Sequence, residues 1–147
     1  MAAPLVSDKL WSRIESLLPK HHSPGAEGGR PPVDDRAALT GILFILRTGI
    51  PWELLPQEMH CGCGMTCWRR LRDWQSSGVW DKLLALLLSE LRGADKIDWS
   101  RAAVDSSSIR AVGGGEATGP NPTDRARPGT KHHVLVDGQG VPLAVSI

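Results

Sequence analysis

The sequence predicts an α+β protein, with a helical module over residues 1–93 followed by a β-sheet segment over 94–147. Three observations carry this. Before Gly93, apolar residues recur at helical spacing in four runs, most of them bounded by a capping residue or a breaker. After Gly93 that period is lost, and short apolar runs alternate with Gly- and Pro-rich stretches. Aromatic content divides the same way: five of the six Trp lie before residue 81, beside a single Phe and no Tyr. The first segment is therefore expected to hold an aromatic-anchored core.

The first helix opens at Ser7, an N-cap, with Asp8 in its first turn; Leu10, Trp11, Ile14, Leu17 and Leu18 repeat at helical spacing until Pro19. Residues 20–33 hold Gly, Pro, His and Ser and are expected to form a loop. Asp34 or Asp35 caps a second helix through Thr48, with Gly49 at its C′ position and Pro51 preventing continuation. Its centre, Leu39 to Leu46, is apolar on nearly every side, which predicts a buried central helix. Trp52 and Leu54-Leu55-Pro56 suit a short helical turn. A third helix starts near Met65 or Thr66 and runs to about Gln75, and a fourth spans about Val79 to Arg92. The fourth carries an apolar stripe of Trp80, Leu83, Leu84, Leu87, Leu88 and Leu91.

In the second segment, Trp99 to Val104 reads as a strand, Gly113 to Gly129 as a long loop, and Lys131–Val136 with Val141–Ile147 as a hairpin around Asp137-Gly138-Gln139-Gly140. The sequence closes inside an apolar strand, so an unfinished sheet with an open edge is expected.

Composition narrows function only by exclusion. Net charge is +1 over 147 residues, so bulk electrostatics favour no partner, and any nucleic-acid affinity has to come from local clusters. No membrane span or signal-type start is read from the sequence. The three Cys, all between residues 61 and 67, form no even disulfide framework. A soluble protein of a reducing compartment follows, cytoplasmic by default. His60-Cys61-Gly62-Cys63 with Cys67 offers thiolates and an imidazole, yet no second Cys pair, so reduced thiols are expected rather than zinc. His132 and His133 are adjacent on a strand and point to opposite faces; His21 and His22 sit in a loop.

Two stretches suggest chemistry. In Thr66-Cys67-Trp68-Arg69-Arg70-Leu71-Arg72-Asp73-Trp74, the residues Trp68, Leu71 and Trp74 or Gln75 share a docking face. Arg69 and Arg72 share another, with Arg70 beside them. A short helix docked by aromatics and offering guanidinium groups suits the DNA major groove; a solvated basic face is the plain alternative. In Arg101-Ala-Ala-Val-Asp105-Ser-Ser-Ser, an apolar run carries one carboxylate to its end, as a metal ligand at a sheet lip would be carried; an acid capping a turn fits as well. Two-metal phosphoryl transfer needs several carboxylates, and the obvious second candidate, Asp137, begins a Gly-rich hairpin and reads as a turn former. Arg125, Arg127 and Lys131 could contact phosphates or be ordinary solvated charges.

With these residues assembled, the sequence resembles bacterial insertion-sequence transposases of the insertion-sequence-five family. The front half matches over Leu5 to Pro19, Gly29-Arg30-Pro31-Pro32 with Asp34-Asp35-Arg36, Arg47 to Trp52, Leu55-Pro56 and Trp68 to Trp80. The back half matches from Val104-Asp105 onward, through Gly119-Pro120-Asn121-Pro122-Thr123-Asp124-Arg125 and Lys131-His132-His133. The resemblance implies a helix-turn-helix-like DNA-binding module followed by the beginning of a ribonuclease H-like domain, which in the family carries an Asp-Asp-Glu triad with magnesium (Mg2+).

Asp105 matches the first Asp, as catalytic residue and metal ligand. The second Asp and the Glu belong to later elements that these 147 residues do not include. Thr66, Arg69, Arg70 and Arg72 of the third helix, with Arg125, Arg127 and Lys131, are the expected DNA contacts. The implied partners are double-stranded DNA of the element's terminal repeats, a transposase portion encoded in a downstream frame, and a second copy of the chain. The implied location is the bacterial nucleoid. A non-catalytic DNA-binding competitor of full transposase and an inactive remnant stand as alternatives.

Overall fold

The structure is a computed structural model and describes residues 4–19, 31–111, 115, 118–122 and 124–147. The sequence reading of His21, His22, Gly29, Arg30 and Thr123 falls outside those residues. The chain comprises two compact units, Met1–Ala85 and Leu86–Ile147. Four helices precede an antiparallel sheet, so the fold is α+β. Among the described residues no helix is long and apolar enough to cross a membrane.

In the first unit, α1 spans Asp8–Ile14, and the Ser7 hydroxyl accepts the Leu10 amide at 3.2 Å as its cap. The chain then tightens into a 3-10 turn at Glu15–Leu17, so the expected single helix ends earlier. Helix α2 spans Asp35–Thr48. Asp34 caps it by accepting the Ala37 amide at 3.0 Å, and Gly49 ends it in the left-handed region at φ 71°. Its buried residues are Ala38, Leu39, Gly41, Ile42 and Ile45, while Leu46 is 62% exposed. The helix is therefore one-sided rather than buried all round, and its last turn, from Leu46 to Thr48, is exposed throughout. Two 3-10 turns, Trp52–Leu54 and Gln57–Met59, lead to α3 at Gly64–Ser76, and α4 follows at Val79–Gly93.

Close approach between α2 and the segment leading into α3 sets the core. A Cβ on Gly41 would lie 2.7 Å from the Cys67 sulfur and 2.9 Å from the Cys61 Cβ. A Cβ on Gly64 would overlap the Trp52 carbonyl. Only glycine fits either position without the neighbours moving. Cys61 and Cys67 are buried and act as small apolar groups. Burial pushes the Cys67 thiol up to about 11, which keeps it neutral; its sulfur donates to the Cys61 carbonyl at 3.4 Å.

The inward side of α3 differs from the expected one. Gly64, Cys67, Arg70 and Trp74 are buried, whereas Trp68 is 38% exposed. The cause is a pair of non-local contacts. Gly64 must face the Trp52 carbonyl, and three residues per face then carry Cys67, Arg70 and Trp74 inward. The Arg70 guanidinium answers with a 2.5 Å ion pair to Asp35 and a 3.3 Å hydrogen bond to the Val33 carbonyl. Trp74 meets Trp80 edge-on, with ring centroids 5.9 Å apart. On α4, Val79 is buried, Trp80 and Leu83 pack on the same core, and Leu84, Leu87, Leu88 and Leu91 are half-buried.

In the second unit, β3 (Pro128–Asp137) is the central strand. It pairs antiparallel along one edge with β1 (Ala102–Arg110), and along the other with β2 (Gly119–Pro120) and β4 (Pro142–Ser146). Strand β1 is displaced from its expected place at Trp99 to Val104: Trp99 lies in a turn, and Ser106, Ser107 and Ser108 belong to the strand. Pairing explains this, since every residue from Ala102 to Arg110 has a partner on β3, and that ladder outweighs the poor strand propensity of Asp and Ser. The long loop expected at 113–129 likewise yields β2 and the first two residues of β3.

The hairpin turn between β3 and β4 is as expected, and Asp137 forms it. One carboxylate oxygen accepts the amides of Gln139 at 2.9 Å and Val141 at 2.8 Å, and the other accepts the Asp98 amide at 2.9 Å. Burial alone would raise the Asp137 carboxyl, but this set of amide donors outweighs it and holds the group below the ordinary 3.8.

Two outcomes follow. Arg70→Ala removes the part-buried ion pair to Asp35 and the hydrogen bond to the Val33 carbonyl and lowers the stability of the helical unit by about 2–3 kcal/mol, read as a shift in urea midpoint. An unchanged midpoint would exclude the pin. For Asp137, the folded-state value lies below the unfolded one, so its contribution is complete above the ordinary 3.8 and disappears as pH falls through the lower folded value. Protection of the Val141 amide from hydrogen exchange should collapse in that acid range, and Asp137→Asn should abolish the pH step.

Candidate nucleic-acid interface

Turning Gly64, Cys67, Arg70 and Trp74 inward leaves Trp68, Arg69 and Arg72 on the outer side of α3. Arg69 and Arg72 are three residues apart, which makes them neighbours on a helix surface. Arg69 is exposed and has no partner among the described residues. Arg72 stacks over the Trp68 ring, 5.3 Å from its centroid, and pairs with Asp73 at 2.9 Å. Both members of that ion pair are more than half exposed, so it contributes at most about 1 kcal/mol. Thr66 is half-buried, with its hydroxyl 3.3 Å from the Cys63 sulfur. Arg70, expected beside Arg69 and Arg72, is 8% exposed and held by Asp35. It shapes the helix rather than facing outward.

Four cations of the second unit belong to one end of the sheet, while Arg101 lies at the other, donating to the Gly138 carbonyl. Arg125, Arg127 and Lys131 are exposed, and Arg110, opposite Gly129 on β1, belongs to the same end. Arg125 and Ala126 both have left-handed backbone, φ 51° and 57°, which non-glycine residues adopt at a cost of about 1–3 kcal/mol each. Four backbone hydrogen bonds hold the turn: Asn121 to Arg127, Asp124 to Asn121, Ala126 to Asn121 and Arg127 to Asp124.

Asp105 stands fourth in β1, mid-strand rather than at the strand's end. Directly across from it is Val134, and its carboxylate accepts the Ser106 amide at 2.8 Å. Side chains on its face of β1 and β3 are Ala103, Ser107, Ile109, Thr130, His132, Val134 and Val136, with no second acid. Among the described residues no group of three or more His, Cys, Asp or Glu could hold a metal ion. The described residues do not make a complete magnesium site. On the opposite face the Ser106 hydroxyl meets the His133 Nδ1 at 2.7 Å, a pair the sequence could not announce because it depends on the β1–β3 register.

Comparison with known proteins gives the lineage. The family model described as "Putative transposase of IS4/5 family" matches residues 6–84. The "Insertion element IS402 uncharacterized 16.2 kDa protein" of Burkholderia cepacia is 62% identical over 123 residues, which are 83% of this chain and 84% of that protein. The "Putative transposase for insertion sequence element IS402" of the same organism is 52% identical over 52 residues, 35% of this chain and only 24% of that protein. "Uncharacterized protein y4sN" of Sinorhizobium fredii (strain NBRC 101917 / NGR234) is 33% identical over 105 residues, 71% of this chain and 74% of its own length. No solved structure matches. The chain belongs to the IS4/5 family of insertion-sequence transposases.

Proposed function

We propose that this chain is the DNA-binding segment of an insertion-sequence transposase and that it engages double-stranded DNA at the element's ends through α3. The observation that carries the reading is the division of α3 into two sides. Arg70 and Trp74 fix the helix from within, and Arg69 and Arg72 stand free of the core beside Trp68. Guanidinium groups at that spacing can pair with guanine edges or neutralise phosphates from one helix surface. The helix-turn-helix description rests on this arrangement and on the α2–α3 packing. The exposed Arg125, Arg127 and Lys131 would add phosphate contacts from the second unit.

The sheet is read as the start of a ribonuclease H-like catalytic domain in which Asp105 supplies the first of three carboxylates. The remainder, including the other acids, would come from a transposase portion encoded downstream. Support comes from the sheet surface: Val104, Ile109 and Val145 are each more than half exposed, and β1 has no strand on its outer edge among the described residues. Two proteins of one element, IS402, also match this chain. Their matched lengths together exceed the 147 residues here, so part of the chain has a counterpart in both.

A mobility-shift titration against salt tests the binding reading. The chain should retard duplexes carrying the element's terminal repeats more strongly than scrambled duplexes, with affinity falling steeply as salt rises. Arg69→Ala with Arg72→Ala should weaken binding by about tenfold or more and flatten the salt slope, while Asp105→Ala should bind as the parent does. Equal affinity for scrambled DNA, or full binding by the double variant, would exclude α3 as the reader.

A further inference from the structure

The outer side of α3 carries apolar surface as well as charge. Met65 is 46% exposed and Trp68 is exposed too, although both are side chains that interiors ordinarily take. Three residues apart, they are neighbours on the helix surface, so their exposure makes one patch rather than two scattered groups. Met65, Trp68, Arg69, Arg72 and Ser76 follow the i, i+3, i+4, i+7, i+11 spacing and are all exposed, so they form one stripe along α3. The Pro31–Val33 segment meets the helix on a different flank, where Arg70 donates to the Val33 carbonyl and Thr66 lines the same cleft. The stripe is thus open along its length, with apolar groups toward its N-terminal end and guanidinium groups after them.

Charge decides what such a stripe fits. Arg69 and Arg72 interleave with the apolar groups, and the acid beside them, Asp73, meets Arg72 only through an exposed ion pair. An apolar protein surface would cover two neighbouring guanidinium groups with nothing to offset their lost hydration. A polyanion offsets both. Duplex DNA also gives the apolar groups a place, because one base edge in its major groove carries an apolar group, the 5-methyl of thymine. The order along α3 suits that groove. Met65 is the second residue of the helix and Trp68 the fifth, in the N-terminal half that a helix lying in the groove brings to base edges. Arg72 follows Met65 by one stripe repeat, about 10 Å of helix axis or roughly three base-pair steps. The Arg72 guanidinium over the Trp68 ring holds the indole in place, while Met65 is unbranched and can adjust to the position of a methyl group.

We infer that Met65 and Trp68 together receive the 5-methyl group of a thymine in the major groove, within about three base pairs of the bases or phosphates met by Arg69 and Arg72. The inference rests on the reading of α3 as the DNA-binding helix and adds to it a base that the helix selects. Met65 and Trp68 are then specificity-determining residues: the arginines hold the duplex, and the apolar pair distinguishes thymine from a base without the methyl group.

The test is a mobility-shift series with the full chain and terminal-repeat duplexes in which each thymine in turn is replaced by deoxyuridine. The replacement deletes the methyl group and leaves every base pair and phosphate in place. At one or two adjacent positions affinity should fall about fourfold, the value of burying one carbon atom. Met65→Ala should weaken binding to the thymine duplex by at least that factor and bind the two duplexes equally, whereas Met65→Leu should keep the preference. Equal binding of every uracil duplex by the parent chain would overturn the inference. So would a uracil effect that survives Met65→Ala, since that marks duplex deformability, or a Met65→Ala chain that binds DNA unchanged but loses self-association in sedimentation. In each of these cases the α3 reading stands if Arg69→Ala with Arg72→Ala still weakens binding. Full binding by that double variant with the thymine preference kept would overturn the arginine contacts alone, and failure to bind the unmodified duplex would remove both.

Discussion

The close approach at Gly41 and Gly64 is the constraint on which the helical unit depends. With no side chain at either position, α2 lies directly against Cys61 and Cys67, and the start of α3 lies against the Trp52 carbonyl. That approach fixes the rotation of α3 about its axis. Once Gly64 faces inward, Cys67, Arg70 and Trp74 must follow, and the Arg70–Asp35 ion pair keeps the result from being a buried unpaired charge. The outer surface of α3 is thus a by-product of packing: whatever the interior does not take from the helix stands outside.

The second unit works under a different constraint. Its sheet holds together through the ladder of β3 with β1 and through the Asp137 hub, and little of either face is buried. Exposed Val104, Ile109 and Val145 carry apolar area whose burial would be worth about 25 cal/mol per Å² to whatever covers it. The helical unit, by contrast, has a buried core of its own.

Local chemistry was legible in the sequence, and distant pairing was not. Ser7, Asp34 and Gly49 marked helix ends because caps act within four residues of the feature they stabilise. Asp137 betrayed its turn for the same reason, through amides two and four residues away. The rotation of α3 was hidden. Trp68-Leu71-Trp74 and Cys67-Arg70-Trp74 are both regular stripes, and the choice between them lies with Asp35, 35 residues distant, and with the carbonyl at Trp52. Asp105 was expected at a strand end because the serines after it have low strand propensity, which only the β3 register overrides. The Ser106–His133 pair was invisible for that reason too.

Arginine footprinting examines the two-sided helix most directly. The chain would be treated with an arginine-selective dicarbonyl reagent, free and bound to a terminal-repeat duplex, and modification read residue by residue by mass spectrometry. The two-sided α3 predicts that Arg69 and Arg72 react in the free chain and are protected by DNA, while Arg70 stays unreactive in both. Arg70 reacting as fast as Arg69 in the free chain, or Arg69 and Arg72 reacting equally with and without bound DNA, would contradict it.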